Sequence, residues 1–199
     1  MNDTTKQTAT PMSALLFMFS TSCFILWGLY QGIFSGEIRL LYGLIALAMY
    51  PVYMIGGIWL LRKNESYSAN LFFIFGVLFT GMMAFSNIAM FFSDQFGWGY
   101  DRSILAIPLL ISGIGVTPSM IPYRFAPAIP FLTWSIACIW LMTSALEMLG
   151  VPALMLVNQI LAFVVGAGVL YMMIDELLKS IGEKGLPLGK PLFKKKLAD

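Results

Sequence analysis

Histidine is absent from the 199 residues of this chain, and charged residues make up only 11% of it. Without an imidazole, the chain cannot form a His-ligated haem, zinc or copper site, a Ser-His or Cys-His catalytic pair, or a histidine proton relay. Cys23 and Cys138 lie in separate apolar stretches, which excludes a disulfide framework and a CxxC metal site. The sequence therefore predicts no enzyme activity, no cofactor or metal, and no nucleic-acid partner.

Apolar sequence is abundant, since 59% of the residues are hydrophobic. Charged residues divide the chain into six uncharged windows, each longer than the roughly 20 residues with which a helix crosses a bilayer. Helices are the expected form because lipid leaves exposed backbone groups unsatisfied. The sequence predicts an all-α integral membrane protein with six transmembrane helices. The predicted spans lie near residues 13–33, 40–61, 69–92, 104–121, 127–147 and 152–174.

The basic residues indicate the orientation. With six spans, every Lys and Arg except Arg39 and Arg102 falls on the side that also holds both termini. Basic residues accumulate on the cytoplasmic side of a membrane, so both termini are predicted to be cytoplasmic, in the plasma or inner membrane. The predicted organisation is a cytoplasmic tail at 1–12, a six-helix transmembrane domain at 13–176 and a basic cytoplasmic tail at 177–199. Lys6 and the run Lys194–Lys196 belong to these tails.

Two patterns concern the packing of the helices. Arg39 and Arg62 bracket the second span at nearly the interval at which Arg102 and Arg124 bracket the fourth, which hints at a pseudo-repeat of helix pairs. Small residues also mark close helix contacts, which predicts tight packing at several glycines. The glycines in question are Gly28 and Gly32, Gly56 and Gly57, Gly113 and Gly115, and Gly166 and Gly168. Substitution of Gly166 or Gly168 by leucine is expected to break an oligomer.

Neutral polar side chains recur inside the predicted spans. Such groups either line a path for a small solute or form hydrogen bonds between helices. For a single Ser or Thr the structural interpretation is the commoner one, because a hydroxyl can also bond back to its own helix. For the amides of Asn87, Asn158 and Gln159, the two interpretations have about equal weight. The candidates for lining a path are Ser20, Thr21, Tyr53, Asn87, Asn158 and Tyr171.

Charged residues are absent from the middle of every predicted span, which argues against a voltage sensor or a fixed proton-carrier carboxylate. The predicted outer rim has more carboxylates than arginines. It holds Glu37, Asp94, Asp101 and Glu147 against Arg39 and Arg102. This count predicts no attraction for an anion, so an acid is expected to enter in its neutral form or with a proton.

The C-terminal third resembles the acetate uptake transporter family, the bacterial acetate/succinate permeases and their fungal relatives. The stretch from Asn158 to Gly189 has the glycine-rich last helix at Gly166, the tyrosine at Tyr171 and the helix-end glutamate at Glu176. It closes on a Leu-Pro-Leu-Gly tail at residues 186–189. Residues 10–22 also resemble the family's first helix, where Pro11 and Phe17 keep its pattern.

The resemblance implies a homohexamer in which each protomer encloses its own path for small monocarboxylates such as acetate, or for succinate, linked to a proton. It also implies a constriction formed by Phe17, Phe75 and Ile136, where Phe75 replaces the family's tyrosine and Ile136 its leucine. The lipid membrane and a small-molecule solute are the other partners expected.

Two further functions stay open at this stage. A channel for a neutral solute such as urea or an amide also has six helices in about this length, and a neutral polar lining would suit it. A non-transporting subunit of a larger membrane complex is the other, because the family's helix-2 signature of paired glycines, a Gln and a Glu keeps only Gly57 here.

Overall fold

The computed structural model describes residues 11–193, and within that range the chain is helical and has no β-strand. Six of its helices are long and apolar enough to cross a membrane. The chain is therefore an integral membrane protein by length and composition, and the predicted number of spans is confirmed. The helices are α1 (Met12–Tyr30), α2 (Ile38–Arg62), α3 (Ser66–Phe96), α4 (Arg102–Tyr123), α5 (Ala128–Met148) and α6 (Pro152–Ser180).

The largest departure from the predicted spans is at the end of α6. This helix continues to Ser180, beyond both the span end predicted near 174 and the domain boundary predicted at 176. Asp175 and Lys179 lie one turn apart and form an ion pair of 2.6 Å, which favours the helix at this charged end. The uncharged window ends at Ile174, but the helix does not end there. Lys6 and the run Lys194–Lys196 lie outside the described residues.

The helices pack most extensively as α1 with α6, α2 with α3, and α4 with α5, while α5 also packs on α6. The first and last described segments meet at one end of the bundle, where Met12 and Leu188 line the same cavity. We call this the terminal end and the opposite one the far end. The pseudo-repeat and the cytoplasmic position of the terminal end stay predictions.

Helix α3 is interrupted by a π-helical segment, Gly76–Met82. Within it the Thr80 hydroxyl donates a hydrogen bond to the Gly76 carbonyl at 2.5 Å. Gly76 also allows α2 to approach closely, because a Cβ at this position would lie 2.9 Å from the Cβ of Tyr53. Short π segments inside helices occur frequently at functional sites. This one lies in the middle of the bundle, beside the aromatic residues described below.

The glycines of α6 make contacts within the chain. A Cβ on Gly166 would lie 3.0 Å from the Cβ of Cys23 in α1, and one on Gly168 would overlap Thr133 of α5. The chain thus places both glycines at contacts between its own helices, and the expected effect on an oligomer stays a prediction. Gly115, by contrast, faces open space.

The two kinds of glycine predict opposite effects of adding one methyl group. Gly168→Ala should lower the free energy of unfolding by about 1–3 kcal/mol, because overpacking forces Thr133 and the α5–α6 contact to shift. Gly115→Ala should cause no loss, since alanine is the better helix former and nothing lies in its way. Unfolding of the two purified variants in detergent, followed side by side, measures the difference; equal stabilities would contradict the packing.

Candidate functional site

A layer of stacked aromatic rings fills the middle of the bundle. Its members are Phe19 of α1, Phe75 and Phe79 of α3, and Trp134 and Trp140 of α5. The Phe19 ring centroid lies 5.2 Å from that of Phe75, 5.1 Å from Phe79 and 5.7 Å from Trp134. Phe75 stacks on Trp134 at 5.7 Å and Phe79 stacks on Trp140 at 5.9 Å. We call these five residues the aromatic layer.

A cavity of about 260 Å³ reaches the aromatic layer from the terminal end. Phe75 and Trp134 belong to both, so the layer forms the closed bottom of this terminal-side cavity. Most of its lining is apolar. Its polar lining comes from the helix ends and includes the acidic pair Asp175 and Glu176.

A second cavity, of about 180 Å³, opens at the far end. It is lined by the ends of several helices and holds two arginines, Arg39 and Arg102. A small pocket of about 10 Å³ lies between this far-side cavity and the aromatic layer. Phe79 and Trp140 of the layer form part of its lining. The small pocket and the far-side cavity share Tyr30, among other residues. One chain therefore holds two cavities that approach the same aromatic layer from opposite ends.

The segment 183–193 folds back along the terminal-side cavity. The buried Asp175 carboxylate accepts the Leu186 N–H at 2.9 Å, and the Tyr171 hydroxyl donates to the Pro187 carbonyl at 3.2 Å. The Ile129 N–H donates to the Leu188 carbonyl at 3.0 Å. Leu188 itself lines the cavity. This part of the predicted basic tail is thus a strap held at the cavity, and we call residues 183–193 the C-terminal strap.

At the far end, Glu147 is buried behind Arg102. The side chain of Glu147 is 4% exposed and accepts a hydrogen bond from Arg102 at 3.3 Å. Asn158 donates to the second Glu147 oxygen at 2.6 Å and accepts from the Thr143 hydroxyl at 2.6 Å. The carboxylate is therefore bonded on both oxygens, as a buried charge requires.

The chain positions the two arginines through the first turns of α2 and α4. Asp101 caps the start of α4 by accepting the Ser103 N–H at 2.9 Å, and that bond lowers the pKa of the Asp101 carboxyl. Arg102 follows directly and lies on the cavity wall. Arg39 lies in the first turn of α2 and pairs with Asp94 at 3.1 Å. Neither paired carboxylate belongs to the lining of the cavity, whereas both arginines do.

The structure does not bring the three predicted constriction residues together. Phe75 lies in the aromatic layer, but Phe17 is 53% exposed on the outer surface of α1. Ile136 is half-buried against the core and lines neither cavity. Two residues along a helix correspond to about 200° of rotation, so Phe19 faces inward where Phe17 does not. Trp134 contacts Phe19 and Phe75, whereas Ile136 packs elsewhere against the core. In both helices the residue beside Phe75 is thus two positions from the one that the resemblance implies, and the constriction itself stays a prediction.

Two of the predicted lining residues, Ser20 and Tyr53, form hydrogen bonds between helices, and a third, Thr21, lines neither cavity. The Ser20 hydroxyl donates to the Gly166 carbonyl at 3.0 Å, which joins α1 to α6. The Tyr53 hydroxyl donates to the Leu15 carbonyl at 3.4 Å. Thr21 is half-buried and lines neither cavity. The structural interpretation of the polar residues therefore describes Ser20 and Tyr53.

The other three predicted lining residues differ from one another. Asn87 lines the far-side cavity while its amide donates to the Met83 carbonyl at 2.7 Å. Asn158 is fully buried beside Glu147, and Tyr171 holds the C-terminal strap. Asn87 is thus the one of the six predicted lining residues that the structure puts on a cavity wall.

The chain matches no protein-family model and no curated protein. Among residues 11–193, no group of three or more His, Cys, Asp or Glu side chains is arranged to hold a metal ion. Cys23 and Cys138 are buried free thiols. The side chains described above form a terminal-side cavity and a far-side cavity with the aromatic layer between them.

The C-terminal strap predicts a protease-resistant segment. Asp175→Ala removes both the acceptor for the Leu186 N–H and the partner of Lys179. Hydrogen bonds to charged groups contribute about 1.5–3 kcal/mol, so trypsin should cut between Lys184 and Gly185 roughly tenfold faster in this variant.

Glu176→Ala is the matched control, because Glu176 neighbours Asp175 and lines the same cavity. Its cleavage rate should stay near that of the unaltered chain. Peptide masses identify the cut. If both variants are cleaved at the rate of the unaltered chain, Asp175 does not hold the strap.

Proposed function

We propose that this chain is a membrane transporter for small monocarboxylates such as acetate, and that the solute passes through the interior of a single chain. The observation that carries the proposal is the terminal-side cavity that ends at the aromatic layer, together with the far-side cavity that adjoins the layer through the small pocket. A protein that only held its helices together would not need cavities aligned in this way. The homohexamer, the proton link and the cytoplasmic termini implied above are retained as parts of the proposal.

The apolar character of the aromatic layer supports an acid that crosses in its neutral form. A bare carboxylate would lose its hydration among the rings of Phe19, Phe75 and Trp134, and that loss costs several kcal/mol or more. Protonation removes most of this cost. The methyl group of acetate is apolar and can pack against the aromatic rings. This is the physical basis for proposing acetate carried together with a proton.

Two buried donors at the small pocket, one of them on Trp140 of the aromatic layer, support a polar solute. The Trp140 indole N–H and the Ser144 hydroxyl are buried at the small pocket and have no hydrogen-bond partner within the described part of the chain. Buried polar groups are nearly always hydrogen-bonded, and each unsatisfied one costs about 1–3 kcal/mol. A carboxyl group in transit can accept from both donors, which lie one turn apart on α5.

Uptake into proteoliposomes tests the proposal. We expect saturable uptake of labelled acetate that rises with an inward proton gradient. Urea uptake indifferent to the gradient would instead indicate a neutral-solute channel. Absence of flux for acetate, succinate and urea would contradict transport and favour a subunit of a larger membrane complex.

The aromatic layer predicts a contrast between two phenylalanines of α1. Phe19→Leu should raise acetate flux several-fold, because a smaller side chain loosens the block between the cavities. Phe17→Leu is the matched control, since Phe17 lies on the outer surface of the same helix and should leave flux unchanged. Flux that responds equally in the two variants, at equal amounts of folded protein, would remove Phe19 from the path.

A further inference from the structure

We infer that Arg39 and Arg102 form a capture site for the ionised carboxylate of the solute in the far-side cavity. This inference rests on the proposed function and names the group that the far end recognises. Arg39 and Arg102 both line one cavity of about 180 Å³, which is large enough for a two-carbon acid. At neutral pH acetate is almost entirely ionised, because a carboxylic acid has a pKa near 4–5. The transporter therefore meets the anion before the neutral acid.

The ion pairs of the two arginines leave donors for a ligand. Each arginine makes a single contact with its carboxylate, 3.1 Å for Arg39 with Asp94 and 3.3 Å for Arg102 with Glu147. A guanidinium has five N–H donors in a planar fork that suits a carboxylate, so most of them stay available. The side chain of Arg102 is half exposed, at 51%, on the cavity side of the buried Glu147.

Glu147 acts as a positioning residue for Arg102. Its carboxylate accepts a hydrogen bond from Asn158, which in turn accepts one from Thr143. These bonds fix the position of the carboxylate that pairs with Arg102. A long side chain that is already held loses less conformational freedom when it binds a ligand. The ion pair holds Arg39 less firmly, because the side chain of its partner Asp94 is 61% exposed. Arg102 is therefore the stronger of the two capture residues.

The rest of the far-side cavity suits the other end of the acid. Beyond the arginines its lining includes the methionines Met83, Met90, Met148 and Met155. Thioether side chains offer a soft apolar surface for a methyl group. The deep end leads to the small pocket with the Trp140 and Ser144 donors. The far-side cavity thus combines two arginines with an apolar methionine wall and borders a small pocket that holds two polar donors.

Binding is tested by thermal unfolding of the purified chain in a neutral detergent. Sodium acetate should raise Tm saturably, because a ligand of the folded state stabilises it, whereas acetamide at the same concentrations should not. Arg102→Gln and Arg39→Gln should each raise the half-saturating acetate concentration about tenfold or more. Arg102→Lys, which keeps the charge but loses the planar fork, should give a smaller rise. Arg62→Gln is the matched control, because Arg62 lies at the terminal end of α2.

Acetate flux in phosphatidylcholine vesicles separates this inference from the proposed function. Arg102→Gln and Arg39→Gln should raise KM about tenfold with little change in maximal rate. An unchanged KM in both variants, with transport intact in the unaltered chain, would overturn the capture site alone. A Tm shift that needs Arg102 in a chain without acetate flux would overturn the transporter and leave the anion site standing.

The remaining outcomes also test the two proposals. If acetate gives neither a Tm shift nor flux in the unaltered chain, both proposals fail. The guanidinium groups would also attract an anionic lipid headgroup. If phosphatidylglycerol added to the neutral detergent gives an Arg102-dependent Tm shift and acetate gives none, the arginines bind lipid and the capture site for solute is overturned.

Discussion

The cost of placing an unpaired charge in hydrocarbon governs this structure. The most buried carboxylates, Glu147 and Asp175, lie at helix ends, and each is paired with a cation. Because the charges are confined to the ends, the middle of the bundle is left to apolar side chains, and aromatic rings fill it. The terminal-side cavity ends at those rings, and the small pocket beside the far-side cavity contacts them from the other end. The proposed path therefore has charged mouths and an uncharged centre.

The number and placement of the helices could be read from the sequence, but their rotation could not. Long uncharged windows report the spans directly. Helix α1 is apolar on nearly every side, so no polar stripe indicates which phenylalanine faces inward, and Phe17 and Phe19 are equivalent in sequence terms. Packing against Phe75 and Trp134 decides in favour of Phe19. The same two-residue ambiguity separates Trp134 from Ile136, although the four-residue spacing of Phe75 and Phe79 does signal a shared face.

Other features depend on contacts between residues that cannot be predicted from the sequence. The C-terminal strap is held by the bond from Leu186 to Asp175, between residues eleven positions apart, in a segment whose composition suggests a solvated tail. The π segment of α3 contains no proline to mark it. The two arginines of the far-side cavity are outnumbered by nearby carboxylates, and only the structure shows that they lie on a cavity wall.

Cysteine accessibility from the two sides of a sealed membrane tests most directly whether one chain holds a path blocked in its middle. Ser68 lines the terminal-side cavity and Met90 lines the far-side cavity, while the native Cys23 and Cys138 are buried. A membrane-impermeant thiol reagent should label Ser68→Cys from one side only and Met90→Cys from the opposite side only. Labelling of both variants from the same side, or of neither from any side, would contradict the account.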